Sequence, residues 1–406
     1  MKDKMRIVQV GLGSRGMDLL KLILNTMDDI QVVGVCDHYA DRTEMAASKI
    51  EEKSGIRPVT TADYRVLLKL PDIDAVLITS AWEQHVEIAC AAMEAGIPAA
   101  CEVGGAYAIE DCWKLVHTHE KTGIPCMMLE NCCYGKRELM VKNMVEQGLF
   151  GDIVHCDGGY CHDLRKEIAY GEENRHYRLR NYLHRNCENY PTHELLPIGK
   201  ILRINDGNRF LSLVSISSCA KGLHQYIVDN KGADDHLAKA EFRQGDVVTT
   251  VLRCANGETV RITLDTTLPR TYSRQFTIRG TKAAYFEDTD SIFMDGKDNG
   301  AEFSPSKLWG NAKEYEAEYN HPLWKDYTTI DTHGGMDYLV LRAFFESMMQ
   351  GIEPPIDVYD MATYISISVL SEESIAKGGA QVTVPDFTNG KWTYREVYPD
   401  FKYALR

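Results

Sequence analysis

The chain has 406 residues, 44% of them hydrophobic and 26% charged, which is more than one hydrophobic core organises and suits two domains of an ordinary globular protein. A formal net charge of -14 argues against nucleic acid or an anionic membrane as partner, because both would repel it. No run of about 18 apolar residues occurs, so no membrane-spanning helix is expected.

MRIVQV (5–10) is a short β-rich run leading into GLGSRG, with Gly11, Gly13 and Gly16. MDLLKLILNTM follows at helical spacing, and IQVVGVCD forms a second strand ending on Asp37, 21 residues after Gly16. Strand, glycine turn, helix, strand and acid is the order of a dinucleotide-binding unit. Gly11 permits the tight turn, Gly13 lets a pyrophosphate approach the backbone, and Gly16 lets helix and strand pack closely. Asp37 is suited to accept from adenosine ribose hydroxyls and to repel a 2′-phosphate, so NAD is expected rather than NADP.

The alternation continues through TADYRVLLKL (61–70), the strand DAVLITS (74–80), the helix WEQHVEIACAAMEAG (82–96) and the strand IPAACE (97–102). The helix 109–123 and the strand IPCMMLEN (124–131) complete it. Such repetition predicts a parallel sheet covered on both faces, with ligands at the carboxyl ends of its strands. The expected cofactor-binding residues are Gly11, Gly13, Ser14, Arg15, Gly16, Asp37, Arg42, Ser80, Trp82, His85, Glu102 and Asn131.

Beyond residue 130 the pattern changes. GDIVHCDGGYCHDL (151–164) contains a strand, and a polar stretch then runs to residue 197. Extended, β-rich segments follow at 210–220, 239–269 and 273–288, with Asn256-Gly257 marking a hairpin turn. Segment 288–330 is expected to be a long loop, and helices are predicted over 336–351 and 360–379. The fold expected is therefore α/β: a Rossmann domain over 1–130 with a parallel sheet, and a substrate-binding α+β domain over 131–406 with an open, mainly antiparallel sheet. An open sheet with one bare face favours a homo-oligomer.

The twelve cysteines are scattered without a CxxC pair, and the His-Cys neighbours at 155/156 and Cys-His at 161/162 lack tetrahedral spacing. Reduced, buried thiols and no metal are expected. With no apolar signal core in MKDKMRIVQVGLG, the expected location is cytoplasmic.

The N-terminal half resembles the Gfo/Idh/MocA family. GGYCHDLR, NYPTHELLPIG, PRTYSRQFTIRGTK, HGGMDY and VPDFTNGKW together resemble glycoside hydrolase family 109, over nearly the whole chain. The resemblance implies an NAD-dependent glycosidase acting on small glycosides, with α-N-acetylgalactosaminides as the founding substrate. It also implies a route through transient oxidation at sugar C3, loss of the C2 proton, departure of the aglycone, water addition and re-reduction. Sugar dehydrogenases of this fold carry Glu-Lys-Pro after the fifth strand. Here the run is Glu102-Val103-Gly104, without the lysine, as in the glycosidase subgroup. One departure is Glu194-Leu195-Leu196 after the YPTH run, where the hydrolases commonly have small glycines; these residues are expected to alter the sugar pocket.

Such chemistry needs bases for the 3-hydroxyl and for C2–H, and donors for the enolate. Tyr160 and His162 stand at i and i+2, on one side if the strand continues. Tyr190 and His193 flank Pro191 on an expected turn. Histidine titrates near neutrality, whereas tyrosine acts as a base only beside a cation and otherwise donates to an oxyanion. Arg165, Arg178 and Arg180 are the available cations, and the resemblance selects Arg178 together with Tyr272. Expected catalytic residues are His193, Tyr190, Tyr160, His162 and Tyr272; Glu130, Arg178 and Tyr160 are expected to hold substrate. His333 in HGGMDY fits a site or a helix start equally. The competing functions are a net sugar oxidoreductase producing a keto sugar, and a non-catalytic NAD- or sugar-binding regulator.

Overall fold

The computed structural model describes residues 4–328, 330, 333–395 and 400–405. Two units are present: Met1–Asn131 with Thr328–Ala362 and Pro399–Leu405, and Cys132–Tyr327 with Thr363–Tyr398 and Arg406.

The first unit is built on six parallel strands: β1 Met5–Val10, β2 Ile30–Cys36, β3 Val59–Thr61, β4 Ala75–Ile78, β5 Ala99–Cys101 and β6 Cys126–Met128. They lie in the order β3-β2-β1-β4-β5-β6, so the chain reverses direction beside β1. Their apolar residues are buried because helices cover both faces. Register puts Val10 beside Cys36 and Ile78, Ile78 beside Cys101, and Cys101 beside Met128. Gly11, Asp37, Thr79, Glu102 and Leu129 therefore emerge along one edge. That register is held one residue further by Gly11 N–H to Cys36 O, Thr79 N–H to Val10 O, Glu102 N–H to Ile78 O and Leu129 N–H to Cys101 O, each 2.8 Å.

The helix expected from residue 17 begins at Ser14, on the glycine turn itself, and runs to Thr26. It buries Gly16, Leu19, Leu20 and Ile23, the stripe that 3.6-residue periodicity requires. Sequence periodicity missed the helix Ala40–Ser54, where only Thr43, Ala46, Ala47 and Ile50 are buried. Its small apolar stripe is diluted by charge.

The second unit carries eight strands: β7 Ile153–Cys161, β8 Phe210–Ser217, β9 Val247–Cys254, β10 Thr259–Asp265, β11 Thr277–Gly280, β12 Ala283–Phe286, β13 Ser291–Met294 and β14 Val382–Thr383. Their order is β13-β12-β11-β7-β10-β9-β8-β14. Neighbours are antiparallel except β7 and β10, which are parallel. Gly257 at φ +105° turns β9 into β10. One face lies against the helix Thr192–Ile201: a side chain at Gly158 would stand 2.9 Å from Glu194 Cβ and 3.1 Å from Ile198 Cδ1. Val154, Ile216, Val251 and Phe286 remain exposed.

The polar stretch before residue 197 holds three helices, Arg165–Ala169, Arg178–His184 and Thr192–Ile201. One expectation needs correction. Segment 288–330 is not a bare loop: it contributes β13, several 3₁₀ turns and the helical turn Glu316–Tyr319. Arg137 clamps it by ion pairs to Asp290 at 2.6 Å and Glu316 at 2.7 Å. Elements this short show no period of their own; long-range charge pairs hold them. The cysteines are free thiols, buried except for Cys219. Among the described residues no helix is long and apolar enough to cross a membrane.

Candidate functional site

At the carboxyl edge of the first sheet, the glycine turn has the shape a pyrophosphate needs. Gly11 has φ +98°, and a side chain there would overlap Ser80 N and the Thr79 carbonyl. One at Gly16 would overlap Gly11 O and come within 2.8 Å of Thr79 Oγ1. At Gly13 the nearest neighbour would be Arg42 Nη1 at 3.7 Å, so that position is open to a ligand. Gly13 also caps the helix that starts at Ser14, leaving its first N–H groups facing that opening. This cradle fits the diphosphate of NAD.

Asp37 accepts from Leu12 N–H at 2.7 Å and Tyr39 N–H at 2.9 Å, and stands 3.9 Å from Arg42 Nη1. The glycine turn and the carboxylate are thereby set together. His85 is buried, with Nε2 3.0 Å from Ser80 O, and burial pushes its pKa down to about 4, so the ring is neutral. That contact ties the ring to the turn after β4. Trp82 is buried, and a side chain at Gly104 would lie 2.7 Å from its Cδ1. After Glu102, Val103 is buried and Gly104 lies against the indole.

Arg15 Nε donates to Glu102 Oε1 at 2.9 Å, while its two Nη atoms grip Asp337 at 2.5 and 2.8 Å. Asn131 Nδ2 donates to the same Asp337 at 2.7 Å, and His333 Nδ1 lies 2.7 Å from it. Glu130, just ahead of Asn131, is fully buried. Asp337 escaped sequence reasoning, although HGGMDY drew attention to its neighbour His333.

In the second unit, Tyr160, His162, Tyr190, His193 and Tyr272 converge. Tyr160 is the penultimate residue of β7. Its Oη is 3.3 Å from His162 Nδ1, and their rings meet edge to face at 5.8 Å. The Tyr160 and Tyr190 rings lie 4.3 Å apart, and His193 stands edge-on to both, at 5.6 and 4.9 Å. Cys161 and Ser273 pair through both backbone bonds, at 3.1 and 3.0 Å, which brings Tyr272 to 5.2 Å from His162. Tyr190 and His193 are not on a loose turn. Pro191 has φ -74° and ψ -12° and caps the helix Thr192–Ile201, so His193 belongs to the first helical turn. Leu195 and Leu196 on this helix are fully buried and Glu194 nearly so. These three residues fill the interior of this unit.

Arg178 is the buried cation of this cluster. It pairs with Glu167 at 2.8 Å, and its guanidinium carbon lies 5.0 Å from the Tyr190 ring centre and 6.0 Å from that of Tyr160. Arg165 instead pairs with Asp163 and covers Tyr226, and Arg180 is exposed. Burial pushes the Tyr160 phenol up to about 12, and the opposing pull of Arg178 does not reverse it. Tyr160 is thus a hydrogen-bond donor at neutral pH. Burial, followed by the Arg178 charge, lowers His162, leaving a neutral imidazole. Below Tyr190 lies Glu188, fully buried and pushed up to about 8 by desolvation, with Tyr190 N–H 3.5 Å from its Oε1. Glu167 and Glu188 have no local motif; their distant partners alone give them a place.

Residues 5–129 match the family model described as "Oxidoreductase family, NAD-binding Rossmann fold". Residues 134–394 match "Glycosyl hydrolase 109, C-terminal domain". A glycosyl hydrolase family 109 protein of Stenotrophomonas maltophilia is 38% identical over 97% of this chain and 91% of its own length. An alpha-N-acetylgalactosaminidase of Tannerella forsythia is 36% identical over 95% of this chain and 87% of its own. Among solved structures, a levoglucosan dehydrogenase in complex with NADH and levoglucosan superposes with a TM-score of 0.69 at 19% identity, covering 94% of this chain and 100% of that one.

Proposed function

Because this chain belongs to the glycosyl hydrolase 109 family, we propose that it hydrolyses small glycosides, α-N-acetylgalactosaminides or close relatives of them, by a redox–elimination route. NAD is its cofactor, and an NAD-dependent enzyme of glycosidase or sugar-oxidoreductase type is common ground between the two domain matches. In this proposal residues 1–130 carry the cofactor and 131–406 the substrate-binding machinery. NAD supplies reversible oxidation at sugar C3, which acidifies the proton at C2.

The observation that carries the reading is the cluster of buried Tyr160 and Tyr190 with half-buried His193, beside Arg178. His193 and Tyr190 handle the protons at the 3-oxygen and at C2. Tyr160, kept as a phenol, donates to the oxygen where negative charge develops, and Arg178 stabilises that charge. Neutral His162, 3.3 Å from the Tyr160 hydroxyl and beside half-exposed Tyr272, orients that phenol. Arg178 also holds a sugar hydroxyl.

Hydrolysis in D2O tests the route. Product sugar carrying deuterium at C2 is the expected result, with little NADH accumulating and no external oxidant required. A product without deuterium at C2 means direct displacement at C1 and sinks the route. The second reading, net sugar oxidation, draws on the fold shared with levoglucosan dehydrogenase. Buried Val103 and Gly104 supply no proton-relay group after β5, which weighs against it. NADH released in proportion to sugar consumed would favour it.

A further inference from the structure

The NAD-binding unit contains an ionic hub centred on a residue outside the glycine turn. Asp337 lies in the first turn of the helix Met336–Gln350 and is 3% exposed. Its oxygens take both Nη atoms of Arg15, the amide of Asn131 and the ring of His333, all at 2.5–2.8 Å. Arg15 in turn reaches Glu102. Burial opposes a charge at this position. The bonds from Arg15 and His333 nevertheless hold the Asp337 carboxyl far below the usual carboxylate range.

The partners come from separate parts of the chain. Arg15 is the second residue of the helix that leaves the glycine turn, Glu102 directly follows β5, and Asn131 follows β6. With two carboxylates on one guanidinium, Arg15 acts as a brace and is not an open receptor for phosphate. Strand order says which half of the cofactor the brace serves. Asp37 at the end of β2 marks the adenosine side, the turn after β1 marks the pyrophosphate, and β4, β5 and β6 lie on the other side of β1.

We propose that Asp337 is a positioning residue for NAD: through Arg15 and Asn131 it ties the glycine turn to the ends of β5 and β6, and so presets the pyrophosphate and nicotinamide part of the site. The inference rests on NAD binding by this unit and is independent of whether the enzyme is a glycosidase. Removing the charge should therefore weaken NAD while sparing ligands that use the adenosine side alone.

Isothermal titration of NAD and of AMP into the full-length protein tests this, with Asp337→Asn, Arg15→Met and the double variant. Asp337→Asn should raise the Kd for NAD about tenfold, the scale of a lost hydrogen bond to a charged group. The Kd for AMP should stay within about twofold, and the double variant should lose less NAD affinity than the product of the two single losses, because Asp337 acts in part through Arg15. An unchanged Kd for NAD, an equal loss for NAD and AMP, or losses that multiply in the double variant would each overturn the proposal. If thermal unfolding shows Asp337→Asn to be misfolded, Arg15→Lys keeps the charge and removes the fork. The same NAD-specific loss is then expected, and an equal loss for both ligands, or none, overturns it.

Discussion

The glycine turn of the first unit and the aromatic cluster of the second are both fixed by close contacts, yet different forces hold them. Around the turn, identity is dictated atom by atom. Gly11 and Gly16 leave no room for a Cβ, Asp37 takes two backbone N–H groups, and Arg15 is locked between carboxylates. In the cluster, tilted and edge-on rings 4.3–5.6 Å apart do the work, with one buried guanidinium alongside. Fixed donors and charges suit a cofactor that always binds the same way. Rings with a phenol held protonated, beside the neutral imidazole of His162, suit protons that must move. The two regions should accordingly separate under mutation, one governing cofactor affinity and the other turnover.

The largest effect is expected from His193→Ala. Turnover of a nitrophenyl glycoside should fall about 10²–10⁴-fold, the usual worth of a general acid–base group, with the Kd for NAD unchanged. A matching loss of NAD affinity would break the comparison. Asp37→Ala tests the other side. The ratio of NAD to NADP affinity should fall about tenfold, since the repelling charge and a ribose acceptor are both removed. An unmodified protein that binds both cofactors equally would refute the role given to Asp37.

A smaller effect is expected from Gly104→Ala, whose new methyl would stand 2.7 Å from Trp82 Cδ1. Overpacking of this kind costs about 1–3 kcal/mol, to be read from urea unfolding. Stability equal to that of the unmodified protein would show that the indole moves aside freely.

Glu188→Gln should change least at pH 5, because the carboxyl it replaces is already neutral there. The folded Glu188 has its pKa pushed up to about 8, above the roughly 4.3 of an unfolded glutamate. The stability it contributes is complete below the unfolded value and is lost as pH rises through the folded one. Glutamine does not titrate. Urea unfolding at pH 5, 6.5 and 8 should show the variant gaining on the unmodified protein with each step. A constant difference across that range would mean that Glu188 is ionised beneath Tyr190.

Local pattern made the parallel sheet, the glycine turn and Asp37 legible, because backbone rules act there over a few residues. The Asn256-Gly257 hairpin was legible for the same reason. The YPTH run was legible as a carrier of titratable groups but not as a helix start, since Pro191 suits a turn and a first helical turn equally well. The helix Ala40–Ser54 and the short elements of 288–330 were hidden because charge dilutes one and brevity erases the periodicity of the others.

By itself the sequence determined which chemistry the chain can hold: an NAD-type turn, a lysine-free Glu102-Val103-Gly104, and tyrosines and histidines in motifs shared with a glycosidase family. Only the tertiary structure decided which cation serves the tyrosines, that Tyr160 stays a phenol, and that Asp337 grips a residue 322 positions away. The reason is physical. A turn needs neighbours in the chain, whereas a pKa or an ion pair depends on burial and on partners that sequence distance does not reveal.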